Sequence, residues 1–250
     1  MTLHSRKGLS EAVMALWVAI ASPVPFTESA QAFSLSLGGN AVEGEGIVSA
    51  VPGATTIRFN TLINANSQTE ANVHGHSDGV ATYHAPPPAR ASVVSGSVPG
   101  RFLTPANNES AYLTIGSSQE PGPVTISFNR PLDYFGLYWG SVDFYNEIIF
   151  YNNNALVDHF TGHDIYQFDS TLVISEDNFP ESRFINFTAT GSQEFFNRIV
   201  LSSAWPAFET DNHAYRAANV PSPPPFPAIP TPALLPGLIG LAWVAFRKRQ

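Results

Sequence analysis

The run VTISFN (residues 124–129), NRPLD (129–133) and YFGLYWG (134–140) decides the fold class. In VTISFN apolar and polar residues alternate, the period of a strand with one face on a core. YFGLYWG is dense in aromatic residues, which favour a pleated sheet. NRPLD between them carries Asn, Pro and Asp, so it reads as a turn joining two strands. The same signature recurs in ATTIRFN (54–60), AYLTIG (111–116), EIIFY (147–151), RFINFTA (183–189) and NRIVLSS (197–203). FETDNHAY (208–215) reads as the last strand. YNNNA (151–155), EDNFPES (176–182) and TGS (190–192) supply turn chemistry between them. No amphipathic helical period and no internal repeat emerges between residues 33 and 220. Many short strands separated by Gly, Pro and Asn turns predict an all-β fold, a single β-sandwich or jelly roll. Within it, Gln68–Gly100 holds Pro86, Pro87 and Pro88, and proline is excluded from central strands. A long surface loop flanked by short strands is expected there.

Both ends differ from this domain. Arg6 and Lys7 precede a mostly apolar run, Gly8–Ala21, and Ala30-Gln31-Ala32 has the small-x-small pattern of a signal-peptidase site. Residues 1–32 are therefore read as a signal peptide cut after Ala32, and 33–218 as the exported domain. The chain carries 12 basic and 20 acidic residues; between 33 and 220 there are seven Arg, no Lys and 18 acids, a net of −11. Such a surface disfavours nucleic acid and anionic headgroups and is compatible with neutral glycans and divalent cations. There is no Cys, so no disulfide supports the fold and stability must come from a core. Residues 219–229 are proline-rich and favour an extended polyproline II linker.

The tail from 230 to 250 is PTPALLPGLIGLAWVAFRKRQ. Leu234–Phe246 gives thirteen uncharged residues, roughly 20 Å as a helix at about 1.5 Å per residue. A membrane span usually takes about 20 residues, so this is a short transmembrane helix suited to a transient stay in the inner membrane. Arg247, Lys248 and Arg249 form a basic stop-transfer cluster that would stay on the cytoplasmic side. Pro230-Thr231-Pro232-Ala233, the short apolar helix and the basic tip together resemble the PEP-CTERM class of bacterial sorting signals, in its PTPA-CTERM variant. That resemblance implies recognition and cleavage by a membrane-embedded, exosortase-type sorting enzyme, with delivery to the cell surface or extracellular matrix. TISFNRPLDYFGLYWGSVDFYNEIIFYNNN, FTGHDI, RFINFTATG and RIVLSSAWPAFETDNHAY also resemble exosortase-dependent cyanobacterial surface proteins. The expected role is non-enzymatic, structural or associated with extracellular polysaccharide. A lectin-like carbohydrate-binding module is one alternative and a polysaccharide-active hydrolase another.

Candidate site residues follow from chemistry. In YFGLYWGSVDFYN, Tyr134 and Tyr138 share one face of a strand and Trp139 lies on the other. If the tyrosine face meets solvent, its rings can stack on sugars, with Ser141, Asp143 and Asn146 supplying hydrogen bonds. Cross-strand aromatic packing is the competing reading. Glu43 and Glu45 near the start of the domain, with Asp211 and Asn212 near its end, offer the oxygen ligands of a structural Ca²⁺, provided the first and last strands lie side by side. His74, His76, Asp78 and His84 have ligand chemistry but sit in a Gly- and Pro-bearing loop, where a solvated loop is the plainer reading. His159, His163 and Asp164 match no zinc spacing. No GxSxG elbow is present, and EGEG (43–46) lacks the Lys and helix of a phosphate loop. Glu43, Glu45, Asp143, Glu147, Glu209 and Asp211 are the acids from which a glycosidase pair would have to come.

Overall fold

A computed structural model of the chain describes residues 33–63, 70–87, 91–116, 122–172 and 181–219. They form an all-β unit with one short α-helix. The strands are β1 (Phe33–Leu37), β2 (Asn40–Val42), β3 (Gly46–Val48), β4 (Thr55–Ile57), β5 (Glu70–Asn72), β6 (Ala81–His84), β7 (Ala91–Val94), β8 (Tyr112–Ile115), β9 (Val124–Trp139), β10 (Asn146–Asn152), β11 (Ala155–Thr161), β12 (Arg183–Ala189), β13 (Phe196–Ser203) and β14 (Phe208–Ala217). Every pairing is antiparallel. Twelve strands make one curled sheet, and β2–β3 is a separate hairpin.

Strand β9 organises the sheet and corrects the turn expected at NRPLD. Its first half, Val124–Phe128, pairs with β13 on one edge and β6 on the other, and the β13 pairing resumes once past the bend, at Leu132↔Phe196. Its second half, Tyr134–Trp139, pairs with β12 and β14 instead. Asn129, Arg130 and Pro131 have no ladder partner between the two halves. Pro131 has no N–H to lose, so it fits where the strand leaves one set of neighbours for another. The residues chosen for a turn thus make a bend inside one 16-residue strand. Bends of this kind let a sheet fold over on itself.

Burial follows the bend. Val124, Ile126 and Phe128 alternate with more exposed Thr125, Ser127 and Asn129, so one face meets the core. From Tyr134 to Trp139 every residue is buried, and both faces are covered. Phe135, Leu137 and Trp139 join the main core. There Phe150 stands 4.6 Å from Phe33, 5.0 Å from Phe196 and 5.2 Å from Phe187, ring centroid to centroid. Aromatic pairs of this geometry contribute about 0.5–1.5 kcal/mol each beyond their buried area. Tyr134 and Tyr138 pack on the other face with Phe184 and Ala214, covered by Ile47, Val51 and Ala54. That cover needs Gly46: a Cβ there would stand 2.3 Å from Tyr138 Cε1, and its φ of +71° is left-handed.

The helix α1 (Gly162–Phe168) was not foreseen from the helical period, which seven residues cannot display. Its start is written in Thr161 and Asp164, a capping box: the Asp164 N–H donates to Thr161 Oγ1 (3.2 Å) and the Thr161 N–H to Asp164 Oδ2 (2.7 Å). Pro86 and Pro87 follow β6 as expected of a loop, with β7 beyond. No helix among the described residues is long and apolar enough to cross a membrane. The signal-cleavage residues Ala30 and Ala32, the motif Pro230–Ala233, the apolar run Leu234–Phe246 and the basic cluster Arg247–Arg249 lie outside the described residues.

Candidate functional site

Strand β14 carries the most unusual chemistry of the domain. Glu209, Thr210, Asp211, Asn212 and His213 are five consecutive polar residues, all buried. The strand lies between β9 on one edge and β8 and β4 on the other, so its backbone is paired on both edges, and side chains on both of its faces are buried. Buried polar groups must find partners in the protein, and nearly all of these do. His213 sits among Phe59, Tyr83 and Phe135, with Nδ1 2.8 Å from Tyr83 Oη and Nε2 2.8 Å from Thr210 Oγ1. Burial pushes its pKa down to about 3, so the imidazole is neutral at physiological pH. Asp211 Oδ2 accepts from Asn108 Nδ2 (2.8 Å) and from the Ser110 hydroxyl (3.2 Å), and Oδ1 from the Asn212 N–H (2.7 Å). Burial raises its pKa to about 7 against the pull of those donors.

This network replaces the calcium site expected of Glu43, Glu45, Asp211 and Asn212. The first strand pairs with β12 rather than with β14, so the premise of adjacent first and last strands does not hold. The β2–β3 hairpin does reach β14, but by hydrogen bonds: Asn212 Nδ2 donates to the carbonyls of Glu45 (2.6 Å) and Ile47 (3.1 Å). The Glu45 carboxylate pairs with Arg58 Nε at 2.6 Å, and Glu43 is exposed. Asn212 takes a φ of +50° at the irregularity between Asp211 and Ala214, which turns its amide towards the hairpin. Among the described residues no group of three or more His, Asp or Glu is placed to hold a metal ion.

The histidine loop is likewise engaged in the fold. His74 Nδ1 accepts from the Ala85 N–H at 3.0 Å, and the His84 ring lies 5.7 Å from it. His76 packs against Tyr83 and Phe59, and burial lowers its pKa. Asp78 Oδ1 accepts the N–H groups of Val80 and Ala81, and Oδ2 accepts from Tyr215 Oη at 2.9 Å. In DHFTGHD, His159 Nε2 is 3.9 Å from Glu147 Oε2, His163 packs on Phe144, and Asp164 caps α1.

The glycan-binding candidates separate into two groups. Tyr134 and Tyr138 do not face solvent; they belong to the covered second face, and the expectation of an exposed tyrosine face is corrected. Tyr134 Oη lies 2.7 Å from Ser49 Oγ and 2.8 Å from Asn186 Oδ1, and Tyr138 donates to the Ala106 carbonyl at 2.7 Å. Trp139 is buried against Phe208 at 4.5 Å and donates to the Ser141 carbonyl. Asn146 is buried too, donating to the carbonyls of Ser141 and Ala207, with Oδ1 2.7 Å from Ser203 Oγ. These residues build the end of the sheet rather than a sugar platform.

Asp143 differs. It lies half-buried in the 140–145 loop between β9 and β10, which α1 supports from one side: Gly162 packs so closely that a Cβ would meet the Asp143 carbonyl at 2.0 Å. Burial raises its pKa to about 6, against a hydrogen bond with Tyr145. Tyr145 Oη also reaches the Pro206 carbonyl at 3.3 Å, tying this loop to the 204–207 loop between β13 and β14. Behind them lies Glu209, only 2% exposed. Its Oε1 accepts the Leu103 N–H at 2.9 Å, and a hydrogen bond from the Ser141 side chain also favours the ionised form. Burial, with a lesser contribution from Asp143, raises its pKa to about 7. Two large exposed side chains flank this group, Phe144 at 45% and Trp205 at 64%. The arrangement offers carboxyl and phenol hydrogen-bonding groups beside two accessible aromatic faces. Trp205 escaped the search for binding residues, and Glu209 was named only among the acids of a candidate hydrolytic pair; both come to Asp143 from distant sequence, through the β10–β13 pairing Asn146↔Ser203 and the Gly140 N–H to Glu209 carbonyl bond. The chain matches no protein-family model, no curated protein and no solved structure.

Proposed function

We propose that this chain is an exported cell-surface or extracellular-matrix protein whose domain associates with extracellular polysaccharide without chemically altering it. The observation that carries this reading is the order of the tail: Pro230-Thr231-Pro232-Ala233, the uncharged run Leu234–Phe246, then Arg247-Lys248-Arg249. An apolar helix with a basic tip inserts with that tip in the cytoplasm, and the proline motif stands at its outer end. Signal peptidase would act after Ala32 and an exosortase-type enzyme near the Pro230–Ala233 motif. The inner membrane is then a transient partner. We read the curled sheet as a single β-sandwich of jelly-roll type, with β9 passing through both layers. The non-enzymatic role is supported by how the polar residues are used: Asp211, Asn212 and His213 each bond to a neighbouring strand, hairpin or loop and so hold the sheet together. The acidic surface favours neutral glycan over anionic polymers and nucleic acid.

The test is extraction of the producing cells. The protein should co-purify with the extracellular polysaccharide and be released when that polymer is digested. A variant lacking 230–250 should lose this association. Recovery of the wild-type protein in the cytosol would contradict the proposal.

A further inference from the structure

We propose that the end of the domain built by the 140–145 and 204–207 loops is a binding site for neutral polysaccharide, with Trp205 and Phe144 as stacking surfaces and Asp143 and Tyr145 as hydrogen-bonding groups. The ligand class rests on the polysaccharide association proposed above; the location rests on geometry alone.

Four observations meet at this place. Trp205 is the most exposed of the large apolar side chains on the described surface, and it sits at a loop tip. Leaving an indole in water forfeits the stabilisation that burial would give it, and an indole with one apolar face and a polar edge suits recognition. Phe144 is held in place from beneath, its ring 5.2 Å from His163 and 5.3 Å from Tyr166, so its free face is rigid. Tyr145 couples the two loops through the Pro206 carbonyl and Asp143. Glu209, 2% exposed, is buried beside this loop, and its charge helps raise the pKa of Tyr145 after burial and Asp143.

The chemistry selects the ligand. The C–H faces of pyranose rings are apolar and stack on Trp and Phe, while their hydroxyls both donate and accept. The ionised Asp143 carboxylate accepts, and the Tyr145 hydroxyl can donate or accept. The domain's net charge of −11 and the two carboxyl groups repel uronic acids and sulfated sugars, so the polymer is neutral. Two aromatic faces on adjacent loops suit successive residues of a chain more than a single monosaccharide. Asp143 and Glu209 are not assigned as a hydrolytic pair, because Glu209 is closed off from solvent behind Tyr145 and the loop carrying Leu103.

Affinity electrophoresis of the full chain in mild detergent tests this, using gels containing glucan, mannan, galactan or xylan. Two further gels would contain alginate and the neutral fraction of the producing cells' own polysaccharide. At least one neutral polymer should retard the protein. Trp205→Ala should weaken that retardation about tenfold, the loss of one stacking contact of roughly 1.4 kcal/mol. Phe144→Ala and Asp143→Asn should weaken it by about threefold or more. Leu156→Ala, an equally exposed apolar residue at the other end of the β10–β11 hairpin, should change nothing. Circular dichroism and the urea midpoint confirm that each variant is folded. Failure of every neutral polymer to retard the wild type overturns the proposal. So does retardation unaffected by Trp205→Ala and Phe144→Ala, and so does a preference for alginate. A protein found in the matrix that binds no neutral polymer would refute this site and leave the surface role standing. A protein that binds but resides in the cytosol would do the reverse.

Discussion

Glu209→Gln should stabilise this protein above neutral pH and leave its stability unchanged in acid. Glu209 is 2% exposed, and burial raises its pKa from 4.5 to about 7. The folded state therefore holds the proton more tightly than the unfolded state does. Unfolding releases that proton, so Glu209's contribution to stability falls as pH rises from about 4.5 through about 7. The gap in proton affinity is worth about 3 kcal/mol at 1.36 kcal/mol per tenfold, complete above pH 7 and absent below 4.5. Gln keeps the shape and the acceptor for the Leu103 N–H, and it cannot ionise. At pH 4.5 it and protonated Glu are alike in charge. At pH 8 the variant should be more stable by about 2–3 kcal/mol. The assay is urea unfolding from pH 4.5 to 8.5, followed by the fluorescence of buried Trp139. Subtracting the wild-type curve matters. His213, whose pKa falls from 6.5 to about 3, has the opposite slope: its stability contribution is complete above 6.5 and is lost as pH falls towards 3. A Gln variant less stable than wild type at pH 8, or a difference independent of pH, would show that Glu209 does not hold its proton in the folded state.

Other substitutions probe other joints of the fold. Gly46→Ala should cost about 2–4 kcal/mol by urea unfolding, from a left-handed φ and a Cβ driven into the packed Tyr138 ring; a change below about 0.5 kcal/mol would show that the second-face packing is loose. Asp169→Ala should cost about 3 kcal/mol, since buried Asp169 accepts from Thr171 and pairs with Arg183 Nε at 2.8 Å, joining the end of α1 to β12. Its pKa is lowered in the fold chiefly by bonds from Thr171 and Arg183 that outweigh the cost of burial. This contribution is therefore present above the unfolded value of about 3.8 and lost as pH falls through the lowered one. Thr161→Ala should remove the cap of α1 and cost about 1 kcal/mol, loosening the support beneath Phe144 as seen in faster amide exchange at Asp164.

Much of the sheet was legible because its strands are two-faced. RFINFTA corresponds to β12 residue for residue, and EIIFY and NRIVLSS fall within one residue of β10 and β13 at each end. The hairpin at Asn153, with its φ of +53°, was legible from the Asn run. β9 was misread as two strands because Asn, Pro and Asp signal a break in pairing, and a bend between two sets of partners breaks pairing as a turn does. Strands of three residues, such as β2, β3 and β5, are too short to show a period. The candidate site was half legible. Asp143 was singled out for its place beside an aromatic run, but the exposed rings proved to be Phe144 and Trp205 rather than Tyr134 and Tyr138. Period-2 alternation says which residues share a face of a strand. It does not say that a hairpin 90 residues earlier covers that face.

Export with removal of both ends sets the intact mass of the mature protein, to be measured in each fraction of its producing cells. A single species in the extracellular matrix, beginning at Phe33 and ending near Pro232 or Ala233, is the predicted result. A species that retains Met1, or one that runs to Gln250 in the membrane fraction, would contradict it.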